Sequence, residues 1–406
     1  MNGKHKKNFY PQMSALFLYI IAAIAFECTA STARIATIAI YLVFLVGVLF
    51  FASKKVLYKN INYLMQILLF LDILVMSNVN QNYMSNTIVY LYLTCMVLCV
   101  ITYHLVRSNT DLINYILYAY ILGSIVLSVR IINSYGGILS MLSYSSVIGE
   151  RRIGGTVVNE NTLGLMMANA VICCLIMSVV KRNKKILSRA LICISPYFIM
   201  MLLLTGSKKA IAFLVIGCVI LGLYLLRDVS NLKKIFVLIG MVALGYALVY
   251  VIRNISAFYT INMRLNEMIG TILGDSQYSN TDASRIMMTT RGIEAFMNSP
   301  FFGNGTGYSY ILFGTYSHNN FVELLMNYGL VGFILYYFPY LVLLKRLYVR
   351  MRERDLYALY FTIFISLQIV LGVGWVNYYE RVIQLLTMVA WAYIDGSKGL
   401  EEEYET

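Results

Sequence analysis

Charged side chains are scarce in this chain. Only 13% of its 406 residues are Asp, Glu, Lys or Arg, whereas 60% are hydrophobic. An ordinary soluble domain is about 25% charged and about 45–50% apolar. A water-soluble fold of this length has too little interior to bury so much apolar surface. The composition therefore excludes an ordinary soluble protein and indicates a chain embedded in a lipid bilayer.

The chain also lacks the clusters that build disulfide or metal sites. All seven cysteines lie within apolar runs, and none belongs to a CxxC pair. No His, Cys and Asp residues share the spacing of metal ligands. The carboxylate pair of a magnesium-dependent sugar-nucleotide transferase is missing as well, because Asp275 and Asp282 are too far apart for a DxD motif. We expect reduced structural cysteines, no cofactor and a metal-independent site.

Apolar runs of about twenty residues recur along the chain and predict about twelve membrane-spanning helices. The runs fall near 13–33, 35–53, 61–77, 86–106, 112–131, 159–180, 186–204, 210–226, 233–252, 329–347, 356–374 and 378–395. With the N-terminus in the cytoplasm, about two thirds of the 32 lysines and arginines fall on the cytoplasmic side, as the positive-inside rule requires. The net charge of +13 is therefore a topology signal, and no nucleic-acid partner is expected.

These spans predict an all-α polytopic membrane protein with four parts and with both termini in the cytoplasm. The parts are 1–252 with spans one to nine, 253–328 as a long extracytoplasmic loop, 329–395 with spans ten to twelve, and 396–406 as an acidic cytoplasmic tail. Within the loop, apolar residues at helical spacing in 263–272 and 284–297 predict short helices. We expect these helices to lie over the membrane-embedded bundle.

Two lysines open a predicted helix on the outer face, where positive charge is unfavourable. Lys208 and Lys209 follow Gly206 and Ser207 in a very short turn, against both the topological bias and the helix macrodipole. Free N–H groups at a helix start favour an anion. The pattern therefore predicts a phosphate site at the outer membrane face. The alternative is that both lysines extend to the interface as snorkelling side chains.

His318 is the one histidine predicted on the outer side. It lies in the segment SHNNFVE, just before an amphipathic helix that Ser317 is expected to cap. Helix N–H groups and neighbouring cations would keep the imidazole neutral, and a neutral imidazole is a competent general base. A purely structural histidine is the competing interpretation.

Four arginines in the two outer loops are further phosphate-binding candidates, because guanidinium groups bind phosphate bidentately. They are Arg151, Arg152, Arg285 and Arg291. Each of them singly has an ordinary surface arginine as its alternative interpretation. A glycine-rich turn at 303–307 has no preceding strand and no following GK[ST], so a nucleotide site is rejected there.

Four local patterns occur in a characteristic order. They are RIGGT at 152–156 with NEN at 159–161, GSKKA at 206–210, Arg285 followed by AF at 295–296 and SPFFGNG at 299–305, and SHNNFVELL at 317–325 with YGLVG at 328–332. Together they resemble the bacterial O-antigen ligase and polysaccharide polymerase superfamily over about 150–332. The family typically has arginine where Lys208 and Lys209 stand, and lysine keeps the charge but loses the bidentate fork.

The resemblance implies metal-independent glycosyl transfer from a polyprenyl-pyrophosphate-linked oligosaccharide, at the outer face of the bacterial cytoplasmic (inner) membrane. The fold would be similar to that of the C-type membrane glycosyltransferases. The implied roles are His318 as catalytic base; Lys208, Lys209, Arg285, Arg152 and Arg291 as pyrophosphate ligands; and Ser207, Asn159, Asn161, Asn319, Asn320 and Glu323 as supporting residues. The implied partners are a lipid-linked donor and acceptor and the bilayer, with chain-length regulator and flippase proteins as further candidates.

Three functions remain open at this point. A polymerase would extend lipid-linked repeat units of an O-antigen, capsule or exopolysaccharide. A ligase would move the finished glycan to a lipid or protein, and the same site would serve both because only the acceptor differs. A transporter or flippase for the lipid-linked sugar is the alternative of another class. Transporters tend to have paired halves with broken helices near the midplane, and no such pairing is visible in this sequence.

Overall fold

The computed structural model of the protein describes residues 60–80, 82–146, 151–154, 157–272 and 280–404, which contain helices and no β-strand. The first two predicted spans, 13–33 and 35–53, lie outside the described residues. Each of the other predicted spans overlaps a helix, and helices are present at both predicted positions in the long loop.

The described residues form fourteen α-helices. In chain order they are α1 Ile61–Ser77, α2 Tyr83–Ser108, α3 Leu112–Ser134, α4 Ile138–Ser146, α5 Glu160–Val180, α6 Lys185–Leu204, α7 Lys208–Leu226, α8 Asn231–Asn254, α9 Tyr259–Ile272, α10 Asn280–Asn298, α11 Tyr308–Phe313, α12 Asn320–Arg352, α13 Leu356–Leu371 and α14 Arg381–Tyr404. Single 3₁₀ turns precede α9 and follow α13.

Six of the described helices are long and apolar enough to cross a membrane, judged by length and composition. They are α3, α5, α6, α7, α12 and α13 with its 3₁₀ turn, and α1 is a shorter apolar helix. A bilayer core requires helices because every backbone polar group must be satisfied within the segment. The all-helical, multi-pass architecture is therefore confirmed, whereas the total of about twelve spans remains a prediction.

Short polar side chains begin the helices that carry the predicted site residues. Asn159 caps α5, Ser207 caps α7 and Asn319 caps α12, each through a side-chain oxygen that accepts a backbone N–H of the first turn. The expectation that Ser317 caps α12 was wrong. The helix begins later because His318 adopts a left-handed conformation (φ 58°), which a right-handed helix does not continue through.

The described residues group into two compact units. The first unit contains those of Ala39–Ile116 and Ser279–Thr406, and the second contains those of Leu117–Tyr278. In the first unit, α2 packs along α14, and α12 packs against α1, α10 and α13. In the second unit, α5 packs against α6 and α7 and is the most buried of the six candidate spans.

In the first unit, α12 is broken at Gly329, which has φ 63° and ψ −159°. The glycine-rich turn that follows Pro300 fills the break. The N–H of Asn304 donates to the Met326 carbonyl at 2.9 Å, and the N–H of Leu330 donates to the Pro300 carbonyl at 2.8 Å. The turn thus supplies partners for backbone groups that the break leaves without helical bonds. Gly303 of this turn allows the close contact between the two backbones.

We expect Gly303→Ala to destabilise the first unit strongly. A Cβ there would lie 2.4 Å from backbone atoms of Asn327 and Tyr328, at φ +75°. Overpacking costs about 1–3 kcal/mol, and the left-handed conformation adds about 1–2 kcal/mol for a residue with a side chain. Gly314→Ala is the matched control, because Gly314 also has positive φ (+71°) but no atom within 4 Å of its Cβ position. Thermal unfolding in detergent should show a larger loss for Gly303→Ala, and equal midpoints would contradict the packing argument.

Candidate functional site

In the second unit, lysines open α7 as the sequence predicted. α6 ends at Leu204 and α7 begins at Lys208, so only residues 205–207 connect the two helices. Lys208 and Lys209 occupy the first two helical positions, and both are half-buried. The partially positive N-terminal end of α7 and its two lysines therefore coincide.

Arg152 reaches this helix start from the segment before α5. Its Nε donates to the Thr205 carbonyl and one terminal nitrogen donates to Asn161 Oδ1, both at 2.8 Å. The other terminal nitrogen lies 3.6 Å from the Glu160 carboxylate. Ser207 Oγ donates to the same Asn161 Oδ1 at 3.2 Å. Asn161 thus joins Arg152 to the residue that caps α7.

A glycine on α5 allows this junction to form. A Cβ at Gly164 would lie 2.8 Å from Thr205 Oγ1 and 2.9 Å from Ser207 Cβ. The α5 backbone therefore passes directly against the turn before α7. Asn161, one helical turn earlier, is brought within hydrogen-bond distance of Ser207.

A second arginine lies against the same turn. Gly206 has φ 62°, a conformation that glycine adopts without strain. A Cβ there would lie 3.3 Å from Thr260 Cγ2, 3.4 Å from Arg264 Cδ and 3.6 Å from Arg152 Cγ. The stems of two arginines, from two separate segments, therefore pack at one glycine.

Helix α9 presents one face to this turn. Thr260 Oγ1 donates to the Arg151 carbonyl at 3.0 Å, and the Glu267 carboxylate lies 3.6 Å from Lys208 Nζ. Thr260, Arg264 and Glu267 recur at helical spacing and so share a face. Neither Arg264 nor Glu267 was predicted from the sequence as a site residue. Their spacing within a predicted loop helix is the signal that could have identified them.

The described cluster therefore combines three cations with two carboxylates. The cations are Arg152, Lys208 and Arg264, and the carboxylates are Glu160 and Glu267. Lys209 follows Lys208 directly at the start of α7. Both ion pairs are 3.6 Å long and partly exposed, so each contributes little to stability, and the cations still outnumber the carboxylates. An excess of held positive charge at a helix N-terminus favours binding of a phosphate-like anion.

In the first unit, His318 lies between α11 and α12 in a conformation uncommon for a non-glycine residue. The Tyr316 ring lies 4.2 Å from the imidazole, centroid to centroid. After His318, Asn320 is fully buried; its Nδ2 donates to Tyr337 OH at 2.8 Å and its Oδ1 accepts the Asn377 N–H at 2.9 Å. These contacts on the C-terminal side hold the backbone that carries the imidazole.

Helix α10 carries both predicted loop arginines and packs tightly on α12. A Cβ at Gly292 would lie 2.3 Å from Val322 Cγ1. Arg285 precedes Gly292 by two helical turns and therefore shares its face. Arg291 lies off that face and is exposed. The packing therefore favours Arg285 over Arg291 as the arginine on the face of α10 that meets α12.

A tyrosine of α11 lies near the His318 segment. Burial, together with the charge of Glu323 and the neighbouring Tyr316, raises the pKa of Tyr310 to about 12. The Tyr310 hydroxyl is therefore protonated at every pH the protein meets, and it serves as a hydrogen-bond donor and not as a base.

The predicted site residues thus fall into two groups. Arg152, Asn159, Asn161, Ser207, Lys208 and Lys209 lie in the second unit, and Arg285, Arg291, His318, Asn319, Asn320 and Glu323 lie in the first. Within the described ranges, no three His, Cys, Asp or Glu side chains converge as metal ligands.

The helical architecture and the six candidate spans define a multi-pass membrane protein with a cationic helix start and an imidazole held beside a helix. The sequence model of the O-antigen ligase family matches residues 193–337, and this match supports the resemblance to the O-antigen ligase and polysaccharide polymerase superfamily. The match contains the motifs of Lys208, Arg285 and His318 and begins after Arg152. No curated protein matches the chain significantly. The family implies glycosyl transfer of the ligase or polymerase type.

Proposed function

We propose that this protein is a polysaccharide polymerase that joins lipid-linked repeat units at the outer face of the bacterial cytoplasmic membrane. The reaction is inverting and metal-independent, and it uses a glycan linked to polyprenyl pyrophosphate. The observation that carries the proposal is the cation cluster at the start of α7, most of which lies inside the segment that matches the family. A pyrophosphate leaving group requires such fixed positive charge.

His318 is the general base in this proposal. Its imidazole takes the proton from an acceptor sugar hydroxyl, and the oxygen forms a bond to the anomeric carbon of the donor glycan. The bond from that carbon to the pyrophosphate oxygen breaks, and its electron pair leaves with the polyprenyl pyrophosphate. Attack from the face opposite the leaving group inverts the anomeric centre. The imidazolium then returns its proton to water.

Arginines and lysines stabilise the leaving group in this proposal. Lys208, Lys209, Arg152 and Arg285 act as predicted from the sequence, and we add Arg264 because it packs at Gly206 beside Arg152. Asn161 and Ser207 act indirectly, since both hold Arg152 and the helix start in place. Charges that are held before the reaction need no reorganisation when the negative charge develops.

A ligase is the second candidate, and the description of the matching family favours it. It would use the same base and the same cations but accept a lipid or a protein in place of a second repeat unit. For the polymerase and the ligase alike, we propose a location in the inner membrane with both termini in the cytoplasm.

The two candidates differ in a cell-free assay with purified full-length protein in liposomes. We expect lipid-linked repeat units alone to yield a ladder of longer lipid-linked chains, with release of polyprenyl pyrophosphate. Transfer that requires an added lipid or protein acceptor would identify a ligase instead. Movement of the substrate across the bilayer without any covalent change would overturn both enzyme candidates and identify a transporter. Gel separation of the glycans and mass spectrometry of the released lipid read out the three results.

A further inference from the structure

Glu323 is a carboxylate in an unusual position. It lies in the first turn of α12, where an acidic side chain is favourable and ordinarily exposed. Here it is only 1% exposed. Burial of a carboxylate is costly unless hydrogen bonds replace its water. Its place inside the fold therefore requires specific partners.

Three donors from three different segments meet this carboxylate. Ser309 Oγ of α11 donates to Oε1 at 2.6 Å, and Asn327 Nδ2 of α12 donates to the same oxygen at 3.2 Å. The backbone N–H of Ser317 donates to Oε2 at 2.8 Å. Glu323 therefore joins α11 and α12 to the connection between them.

The third donor lies directly before the proposed base. Ser317 directly precedes His318, which has the left-handed conformation, and Asn319 caps α12 directly after His318. The backbone of His318 is thus held from both sides, on one side by the helix cap and on the other by Glu323. A strained conformation persists only where its surroundings fix it in this way.

We propose that Glu323 is a positioning residue, which aims the His318 imidazole by holding the Ser317 N–H. The proposal rests on the proposed function of His318 as general base. Glu323 does not contact substrate and takes no proton in the reaction. Its contribution is to hold the imidazole at the acceptor hydroxyl, where a small displacement lowers the rate of proton transfer.

Two substitutions separate hydrogen bonding from charge. Glu323→Ala removes the acceptor of the Ser317 N–H. Glu323→Gln keeps one oxygen for that N–H, and its amide can donate to Ser309 Oγ once the hydroxyl rotates. Asn327 Oδ1 has no hydrogen-bond partner among the described residues, so its amide can turn over and accept from the new glutamine.

The experiment measures kcat and the donor KM of purified full-length variants in the chain-extension assay. Glu323→Ala should lower kcat roughly 10- to 100-fold with an unchanged donor KM, and Glu323→Gln should recover most of that loss. Diethyl pyrocarbonate labelling of His318, followed by peptide mass spectrometry, should be faster in Glu323→Ala than in Glu323→Gln. Glu353→Ala, at an exposed glutamate at the end of α12, is the matched control and should behave like the unmodified protein.

Failure of this inference is distinguishable from failure of the proposed function. An inactive His318→Asn together with a fully active Glu323→Ala would overturn the positioning role alone. Equal losses in Glu323→Ala and Glu323→Gln would overturn it too, because charge would then act instead of hydrogen bonding. Unchanged His318 labelling in Glu323→Ala would also count against it. Full activity of His318→Asn would remove the base, and with it the proposed function.

Discussion

Replacement of His318 by alanine is expected to abolish chain extension while the protein remains folded and inserted. A well-placed general base contributes about 10²–10⁴-fold to the rate, so the variant should form no visible ladder under conditions where the unmodified protein forms long chains. The measurement is the initial rate of extension per folded protein, with folding judged by size-exclusion profile and unfolding midpoint.

His318→Asn separates loss of the base from loss of the left-handed backbone conformation, which the alanine variant does not separate. Asparagine tolerates the left-handed conformation found at this position (φ 58°), but it is not a base. Both variants should be equally inactive. His104→Ala is the control, because His104 is a described histidine of α2, remote in sequence from every motif of the site. Retention of more than about a tenth of the rate in His318→Asn would contradict a 10²–10⁴-fold role for the imidazole.

Removal of the cations at the start of α7 is expected to have the second largest effect. Arg152→Ala and Lys208→Ala should each lower kcat/KM for the lipid-linked donor by about 10²–10³-fold, the cost typical of losing one group that stabilises developing negative charge. The physical reason is that Arg152 is fixed by Thr205 and Asn161, and its charge is therefore in place before the leaving group departs. Steady-state kinetics with a varied donor concentration measure the effect.

The adjacent arginine provides the matched control. Arg151 is exposed, and its guanidinium lies over the Tyr144 ring at 5.1 Å from the centroid. Arg151→Ala changes the net charge by the same amount as Arg152→Ala and should alter kcat/KM by less than about threefold, in line with a weak, screened surface charge. Equal losses in both variants would mean that general electrostatic attraction, and not a fixed cation at α7, assists the reaction.

Sequence patterns located helices more accurately than they located contacts. The apolar spacing in 263–272 predicted a helix that the structure extends to α9, Tyr259–Ile272. Helix α4 was not predicted, because its serines interrupt the apolar pattern over only nine residues. Apolar spacing depends on residues a few positions apart, so a single chain segment contains the whole signal.

For the candidate site, the sequence identified single residues but not the contacts between them. Motifs identified Lys208, Arg285 and His318 as candidates, but they did not identify Arg264 as a neighbour of Arg152. The sequence also assigned no structural role to the glycine-rich turn that follows Pro300. In the structure, the Asn304 N–H of this turn donates to the Met326 carbonyl at the break in α12. Each of these relations joins residues far apart in the chain, and no periodic pattern records such a relation.

By itself the sequence determined that this protein is a helical membrane protein and that its motifs resemble those of the O-antigen ligase and polysaccharide polymerase superfamily, because helix length, apolar content and short motifs are local properties. Only the tertiary structure decided which charges meet at the start of α7 and which carboxylate holds the His318 segment. Those contacts depend on close backbone approaches at Gly164, Gly206 and Gly292, where the absence of a single Cβ sets the distance between elements.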